Sequence, residues 1–415
     1  VLLVANDGFS AGHVARAIAI ARGLARVASR RGLAVRAVLA TTSEAHALLA
    51  GEPIAIVRLP PPAAARRAGF SDAERRRLVR AALDGVVHGF DPDLIVVDTF
   101  PSGPHGELAG LDHRARRVLV RRSVPDGDAE ALTAGLRVHD LAILAGDPGP
   151  QPVALPIPTL QVPPITLVAP GEQLDRATAR ASLGLAGGRA ILVAAGGGGD
   201  LDAAARAGAI ADAIARVAPD VTPVLALGPL ARDVPAVSAF ARDVPAVPAL
   251  GLDVPEVPAL GRDVPAVSAL GLDVPARATA GSTIRLLRVA PLAPVLAAFD
   301  GGFAPAGYNT AHELALAGVP AALFAQPRPF DDQADRAARF AAAGFACVLA
   351  ATTDDAIADA LAWMDTARVP SLEAGGADRA AEALIDLATG SAVRARGNTE
   401  LANGTADLAA GARRS

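Results

Sequence analysis

Lysine is absent from this chain: all 39 basic residues are arginine. A Walker A loop, the strand lysine of protein kinases and a pyridoxal-phosphate Schiff base each require a lysine amine, so those classes fall away. A coding bias toward Ala, Arg, Gly and Pro accounts for the gap. Cysteine is nearly missing too. The single Cys347 excludes intramolecular disulfides and any multi-cysteine zinc site, and it fits a reducing compartment. Aromatic residues are only 3% of the chain against 52% hydrophobic overall, so a large core must be built mainly from alanine and aliphatic residues. The formal charge of −4 and pI near 6.0 give no reason to expect a nucleic-acid partner. No apolar run long enough for a membrane helix is visible. The longest uncharged stretch, Pro148–Gly171, is broken by many prolines. The chain opens at Val1 inside a strand and without methionine, which reads as a trimmed start and not a signal peptide. A cytoplasmic location is expected.

What is present alternates. Apolar runs at Val1–Ala5, Leu33–Ala40, Ile54–Leu59, Leu94–Asp98, Arg117–Val120 and Leu141–Leu144 read as strands, with helices over about His13–Arg31 and Asp72–Phe90. Continuous apolar strands alternating with helices imply a parallel sheet covered on both faces. Around Pro148–Pro170 the pattern dissolves into a proline-rich connection, the expected interdomain linker. A second series follows, with strands at Ala190–Ala195, Val221–Leu227, Ile284–Val289, the Gly301 region, Ala321–Ala325 and Cys347–Leu349. Helices are expected at Asp202–Val217 and Asp354–Met364. The tail beyond about Gly390 is expected to be poorly ordered.

Residues 231–275 stand apart, repeating a decapeptide: ARDVPAVSAF, ARDVPAVPAL, GLDVPEVPAL, GRDVPAVSAL, GLDVP. The proline after valine in each unit favours extended or polyproline backbone. The block reads as a tandem duplication inserted in a loop and mobile on the surface. A solenoid is the alternative, set aside because the units are short and proline breaks sheet ladders.

The most informative segment runs from Gly301 to Gln333. It reads as a buried strand, a glycine turn at Ala306-Gly307, a short helix, a second buried strand, and a polar cluster Asp331-Asp332-Gln333 that opens another helix. Such a turn presents bare backbone N–H groups at a helix N-terminus, where the macrodipole favours an anion. Asn309, Thr310 and Glu313 stand within reach of that end. Thr310 and Glu313 also have the spacing of a capping box, and Asp332 could be a plain N-cap. Near the start of the chain, Gly8-Phe9-Ser10-Ala11-Gly12-His13 closes the first strand and opens the first long helix, with Arg16 one turn on. His13 there either caps the helix or faces a ligand.

Together these segments resemble the nucleotide-sugar site of GT-B glycosyltransferases, in particular the family 28 enzymes and their bacterial "predicted glycosyltransferase" relatives. The resemblance spans most of 1–370 apart from the repeat. It implies an α/β fold of two Rossmann-like domains with parallel sheets facing a cleft. Residues 1–165 would form the acceptor side and 166–375 the donor side, followed by a partly disordered C-terminal extension over 376–415. It also implies roles. The first motif is similar to the family's Gly-x-Gly-His-x-x-Arg segment, which gives His13 the acceptor proton and places Gly12 and Arg16 on the acceptor side. Asp98-Thr99-Phe100 ends a strand at its C-terminal edge, where ligands of α/β sheets bind, and is similar to an Asp-x-Phe segment of the relatives that would place Asp98 in the acceptor cleft. Glu313 would hold the ribose hydroxyls, with Gly307, Asn309 and Thr310 around the donor. Asp332 and Gln333 would read sugar hydroxyls, and Gly197 and Gly198 of the Gly196–Gly199 loop would meet the donor phosphates or the bound acceptor.

The implied reaction moves a hexose or N-acetylhexosamine from a nucleoside diphosphate sugar, UDP being the expected nucleotide, to a hydroxyl acceptor. It needs no metal and no cofactor beyond the UDP-sugar co-substrate. A nucleotide-sugar hydrolase of the same architecture and a non-catalytic sugar-nucleotide binding protein are the alternatives. Three further features carry less. Asp91-Pro92-Asp93 imitates a metal motif but precedes its strand and is rejected. His312 has no second ligand at helical spacing. The arginine-rich stretch Arg75–Arg80 reads as a solvated face, with peripheral contact to acidic lipid headgroups as the alternative.

Overall fold

The computed structural model describes residues 1–6, 11–104, 106–122, 133, 135–149, 155–185, 187–197, 201–230, 284–328 and 331–391. Gly8, Gly198, the repeat block 231–275 and the tail beyond residue 391 lie outside the described residues. The first sheet comprises β1 (Leu2–Ala5), β2 (Val38–Thr41), β3 (Ala55–Arg58), β4 (Leu94–Asp98), β5 (Arg116–Arg121), β6 (Leu141–Ala145) and β7 (Thr159–Val162), in the order β3-β2-β1-β4-β5-β6-β7. The second comprises β8 (Arg189–Ala194), β9 (Val221–Leu227), β10 (Arg285–Arg288), β11 (Gly301–Pro305), β12 (Ala321–Phe324) and β13 (Ala346–Val348), in the order β10-β9-β8-β11-β12-β13. Every described pairing is parallel. The central strands are buried along their length, as strands covered on both faces must be.

The longer helices are α1 (Gly12–Arg31), α2 (Asp72–Phe90), α3 (Leu201–Val217), α4 (Tyr308–Leu316), α5 (Gln333–Ala342), α6 (Asp354–Thr366) and α7 (Gly376–Ala388). Their ends follow local chemistry. α1 stops at Gly32, whose φ of 67° is a left-handed cap, with Arg30 and Arg31 against the negative end of the dipole. α2 starts in a complete capping box: Ser71 accepts from the Glu74 N–H, and the Glu74 carboxylate accepts from the Ser71 N–H.

Two parts of the organisation differ from the sequence reading. The proline-rich connection contains β7, which closes the first sheet against β6. Its residues, TLQV, are too short and too exposed to show a strand period. The segment 376–391, expected within an extension, carries α7, which returns to the first domain and packs on α1. Ala380, Ala381 and Leu384 are fully buried in the same core as Ile18 and Leu24. Arg26 and Arg30 both ion-pair with Asp378 across this contact, and Arg31 with Asp386.

Candidate active site

Each sheet reverses its strand order once: β1 lies between β2 and β4, and β8 between β9 and β11. Ligands of doubly wound sheets bind beyond the carboxyl ends of the strands at such a reversal. Here both reversals open on one cavity of about 610 Å³ between the two domains. Asn6 follows β1, Phe100 follows β4, Gly197 follows β8 and Gly307 follows β11, and all four line it.

On the first-domain wall, Gly12, His13 and Arg16 come from the first turns of α1. His13 Nδ1 lies 2.5 Å from Asp98 Oδ2 at the end of β4. Arg16 grips the same carboxylate through Nε at 2.8 Å and Nη2 at 2.7 Å. Burial opposes charge on Asp98, but the Arg16 guanidinium and then His13 hold its carboxyl below the usual carboxylate range. With Nδ1 given to Asp98, Nε2 is the ring nitrogen left to accept a proton. Thr99, next in the chain, has φ of 66°, a conformation rare for a β-branched residue. It is held there by its N–H on Val120 O at 2.7 Å and by Arg16 Nη2 on its hydroxyl at 3.2 Å. Strain thus sits beside the carboxylate that orients the histidine.

The opposite wall is the N-terminus of α4. The helix begins at Tyr308 with Gly307 as N-cap, and no side chain caps it. The capping-box spacing of Thr310 and Glu313 is therefore not realised: both lie inside the helix, and the Glu313 side chain does not cap its N-terminus. Asn309, Thr310 and Glu313 are half-buried, and all line the cavity. Asn309 Oδ1 has no hydrogen-bond partner among the described residues. Glu313 is deeply set in the protein although it lines the cavity. That burial raises its pKa to about 8, opposed only by a backbone hydrogen bond from Leu167. Gly307 has ordinary extended backbone (φ −65°, ψ 146°), so the turn itself does not demand glycine. A Cβ there would meet no atom within 4 Å, which leaves the helix end bare toward the cavity. Gly197 also lines the cavity, backed by Gly228, where a Cβ would stand 2.0 Å from Gly196 O.

The cluster that opens α5 divides its work differently from the sequence expectation. Asp332 is exposed, caps α5 by accepting from the Asp335 N–H at 2.9 Å, and does not line the cavity. Asp331 takes the cavity-facing place instead. It ion-pairs with Arg122 from the first domain and with Arg336, 2.7 Å away. Against the cost of burial, those two cations hold its carboxyl down. Gln333 is buried, accepts from the Gln326 N–H at 3.1 Å and reaches Asp331 through Nε2 at 3.3 Å.

Behind this wall, Arg336 donates to Asp147 at 3.2 Å, and the Tyr308 hydroxyl bridges Gly146 O and Ile165 N at 3.3 Å each. Arg16 and Arg336 stand on the Tyr308 ring at 5.6 and 5.8 Å. His312 packs between Tyr308 and Phe340, with Nδ1 2.7 Å from Tyr308 O. Among the described residues no group of three or more His, Cys, Asp or Glu side chains is arranged to hold a metal.

The sequence reading missed Asn6, Arg122 and Asp147. Each follows a strand at its carboxyl end, where the ligand rule points. Arg75 was assigned to a solvated face and is instead 2% exposed, inside the cavity wall. No described helix is long and apolar enough to cross a membrane.

No protein-family model and no curated protein matches the chain. Solved structures do. MurG of Acinetobacter baumannii is 18% identical, with a TM-score of 0.51 over 94% of this chain and 98% of its own. The glycotransferase of kitacinnamycin is 15% identical, with a TM-score of 0.52 over 88% and 90%. UDP-GlcNAc 2-epimerase from Methanocaldococcus jannaschii is 8% identical, with a TM-score of 0.53 over 94% and 99%. Likeness at these identities is one of fold: two Rossmann-like domains about a cleft, the GT-B arrangement.

Proposed function

We propose that the protein is a glycosyltransferase, moving a hexose or N-acetylhexosamine from a nucleoside diphosphate sugar, with UDP the expected nucleotide, to a hydroxyl acceptor. One observation carries this reading: an Asp98-oriented histidine and an uncapped helix N-terminus bearing Glu313 face each other across a single interdomain cavity. The division of labour follows from charge. The N-terminus of α4 takes the diphosphate, whose charge grows as the sugar leaves, and this requires no metal ion. Glu313, as carboxylate, accepts from two adjacent ribose hydroxyls. Gln333 and Asp331 lie nearest the sugar, and Gly197 keeps the backbone close to phosphate. His13 Nε2 removes the acceptor proton while Asp98 stabilises the imidazolium that forms. The solved structures of like fold include both transferases and a 2-epimerase, so the experiment must separate these chemistries. The purified protein is mixed with a panel of UDP- and dTDP-sugars, with and without hydroxyl acceptors, and both nucleotide release and the recovered sugar are analysed. Acceptor-dependent UDP release with a glycosylated product is expected. Release that ignores the acceptor would make the protein a hydrolase, and an epimerised donor without release would make it an epimerase. Failure to bind any nucleotide sugar would end the reading.

A further inference from the structure

Arg75 in the first turn of α2 is among the largest fully buried side chains of the molecule, 2% exposed, and it lines the cavity from the first-domain wall. No described residue gives its guanidinium a hydrogen bond or an ion pair, and no described aromatic ring lies under it. Its Nε is buried with no acceptor. Asp72, one turn earlier on the same wall, is exposed and makes no ion pair with it. The other arginines described above on the cavity wall, Arg16 and Arg122, are both committed to carboxylates. A guanidinium so nearly withdrawn from water is costly to leave unpaired, and buried cations are as a rule paired.

We infer that the acceptor carries an oxyanion, a carboxylate or a phosphate, which docks on Arg75 and so presents the acceptor hydroxyl to His13. Leu48, Pro62 and Phe100 line the same wall and suit an apolar body between the two polar ends. Arg66, exposed at the rim, adds a second positive charge on the approach. A planar guanidinium matches either oxyanion through paired N–H donors. This inference rests on the transferase reading for the role of the bound molecule, but the anion site stands on the geometry of Arg75 alone.

The test uses the full chain and its Arg75→Met variant, which keeps the apolar stem and removes the charge. Three probes of one shape are titrated by calorimetry: para-hydroxybenzoate, para-hydroxyphenyl phosphate and the uncharged methyl ester of the first. The wild type should bind one or both anionic probes about tenfold to a hundredfold more tightly than the ester, the worth of a charged hydrogen bond. In the variant the anionic and neutral probes should bind alike, with UDP affinity measured in parallel as the control for folding. A preference between the two acids identifies which oxyanion the site takes. Equal binding of all three by the wild type, none bound included, overturns the inference. So does an anion preference that survives Arg75→Met in a variant that still binds UDP. Wild type that prefers the anions yet binds no UDP would end the transferase reading and leave the anion site standing.

Discussion

At the scale of single residues, the site is a set of groups whose charge is set by neighbours. His13→Ala should retain UDP affinity while turnover falls roughly 10²–10⁴-fold, the usual worth of a positioned base. Asp98→Asn should lose activity as well, because Arg16 and His13 then share no carboxylate. Wild-type turnover by the His13 variant at neutral pH would remove it from the reaction. Glu313 makes a separate forecast. Its pKa of about 8, against an ordinary 4.5, means that it is mostly protonated at pH 7. The folded protein keeps that proton longer than the unfolded chain, so stability declines as pH rises from 4.5 to 8. Ribose hydroxyls donate best to the ionised form, so binding a UDP-sugar at pH 7 should release up to about one proton. Calorimetry in two buffers of different ionisation enthalpy reads this directly, and Glu313→Gln should abolish it. These residues were legible unevenly. His13, Arg16 and Glu313 sit at recognisable motif positions. Arg75 sits in an arginine-rich helix, where only the three-dimensional fold separates the one buried guanidinium from its exposed neighbours Arg76 and Arg77.

At the scale of elements, glycines decide how closely segments approach. Gly376, at the start of α7, would place a Cβ 2.0 Å from Pro163 O and 2.4 Å from Pro164 O. Gly376→Ala should therefore cost about 1–3 kcal/mol of stability, as overpacking does, while UDP affinity stays unchanged. Gly228→Ala meets Gly196 and Gly197 backbone instead and should weaken UDP affinity more than it lowers the melting temperature. Thermal melts and UDP titrations on both variants check the contrast, and the reverse pattern would misplace the Gly196–Gly197 loop. The elements themselves were largely readable. α2 and β4 have the bounds that their apolar runs and caps dictate, since a parallel strand buried on both faces is a continuous apolar word. β2 begins only at Val38, because the chain leaving Gly32 must first cross the surface through the exposed Leu33. α7 was invisible as a partner of α1. Its apolar stripe shows a helix, but a stripe does not say which of two domains it covers.

At the scale of the whole molecule, the domains meet through buried polar groups and not through apolar surface alone. Asp147 is fully buried against Arg336, Arg339 and His312. Burial depresses the His312 pKa to about 4 from an ordinary 6.5, although Asp147 favours its charged form. The unfolded chain therefore takes up this proton first. Stability is fully present above pH 6.5 and is lost as pH falls toward 4, with a slope approaching ~1.4 kcal/mol per pH unit from this group. Denaturant unfolding at a series of pH values should show that limb, and His312→Gln should flatten it. An acid limb unchanged by the substitution would assign the loss to other groups.

Among the described residues the chain crosses between the domains twice, once through Pro163–Leu167 on the way out and once at Gly376 on the way back, and the two crossings lie against each other at the Pro163 and Pro164 carbonyls. Two adjacent tethers leave a pair of bodies little freedom except rotation about the line through them, as the leaves of a door have. Leu167, which bonds Glu313, sits on that pivot, whereas the Arg122–Asp331 pair sits away from it. Opening the cleft to admit a donor should therefore break the second contact and spare the first, so Glu313 keeps its setting whether the leaves are apart or closed.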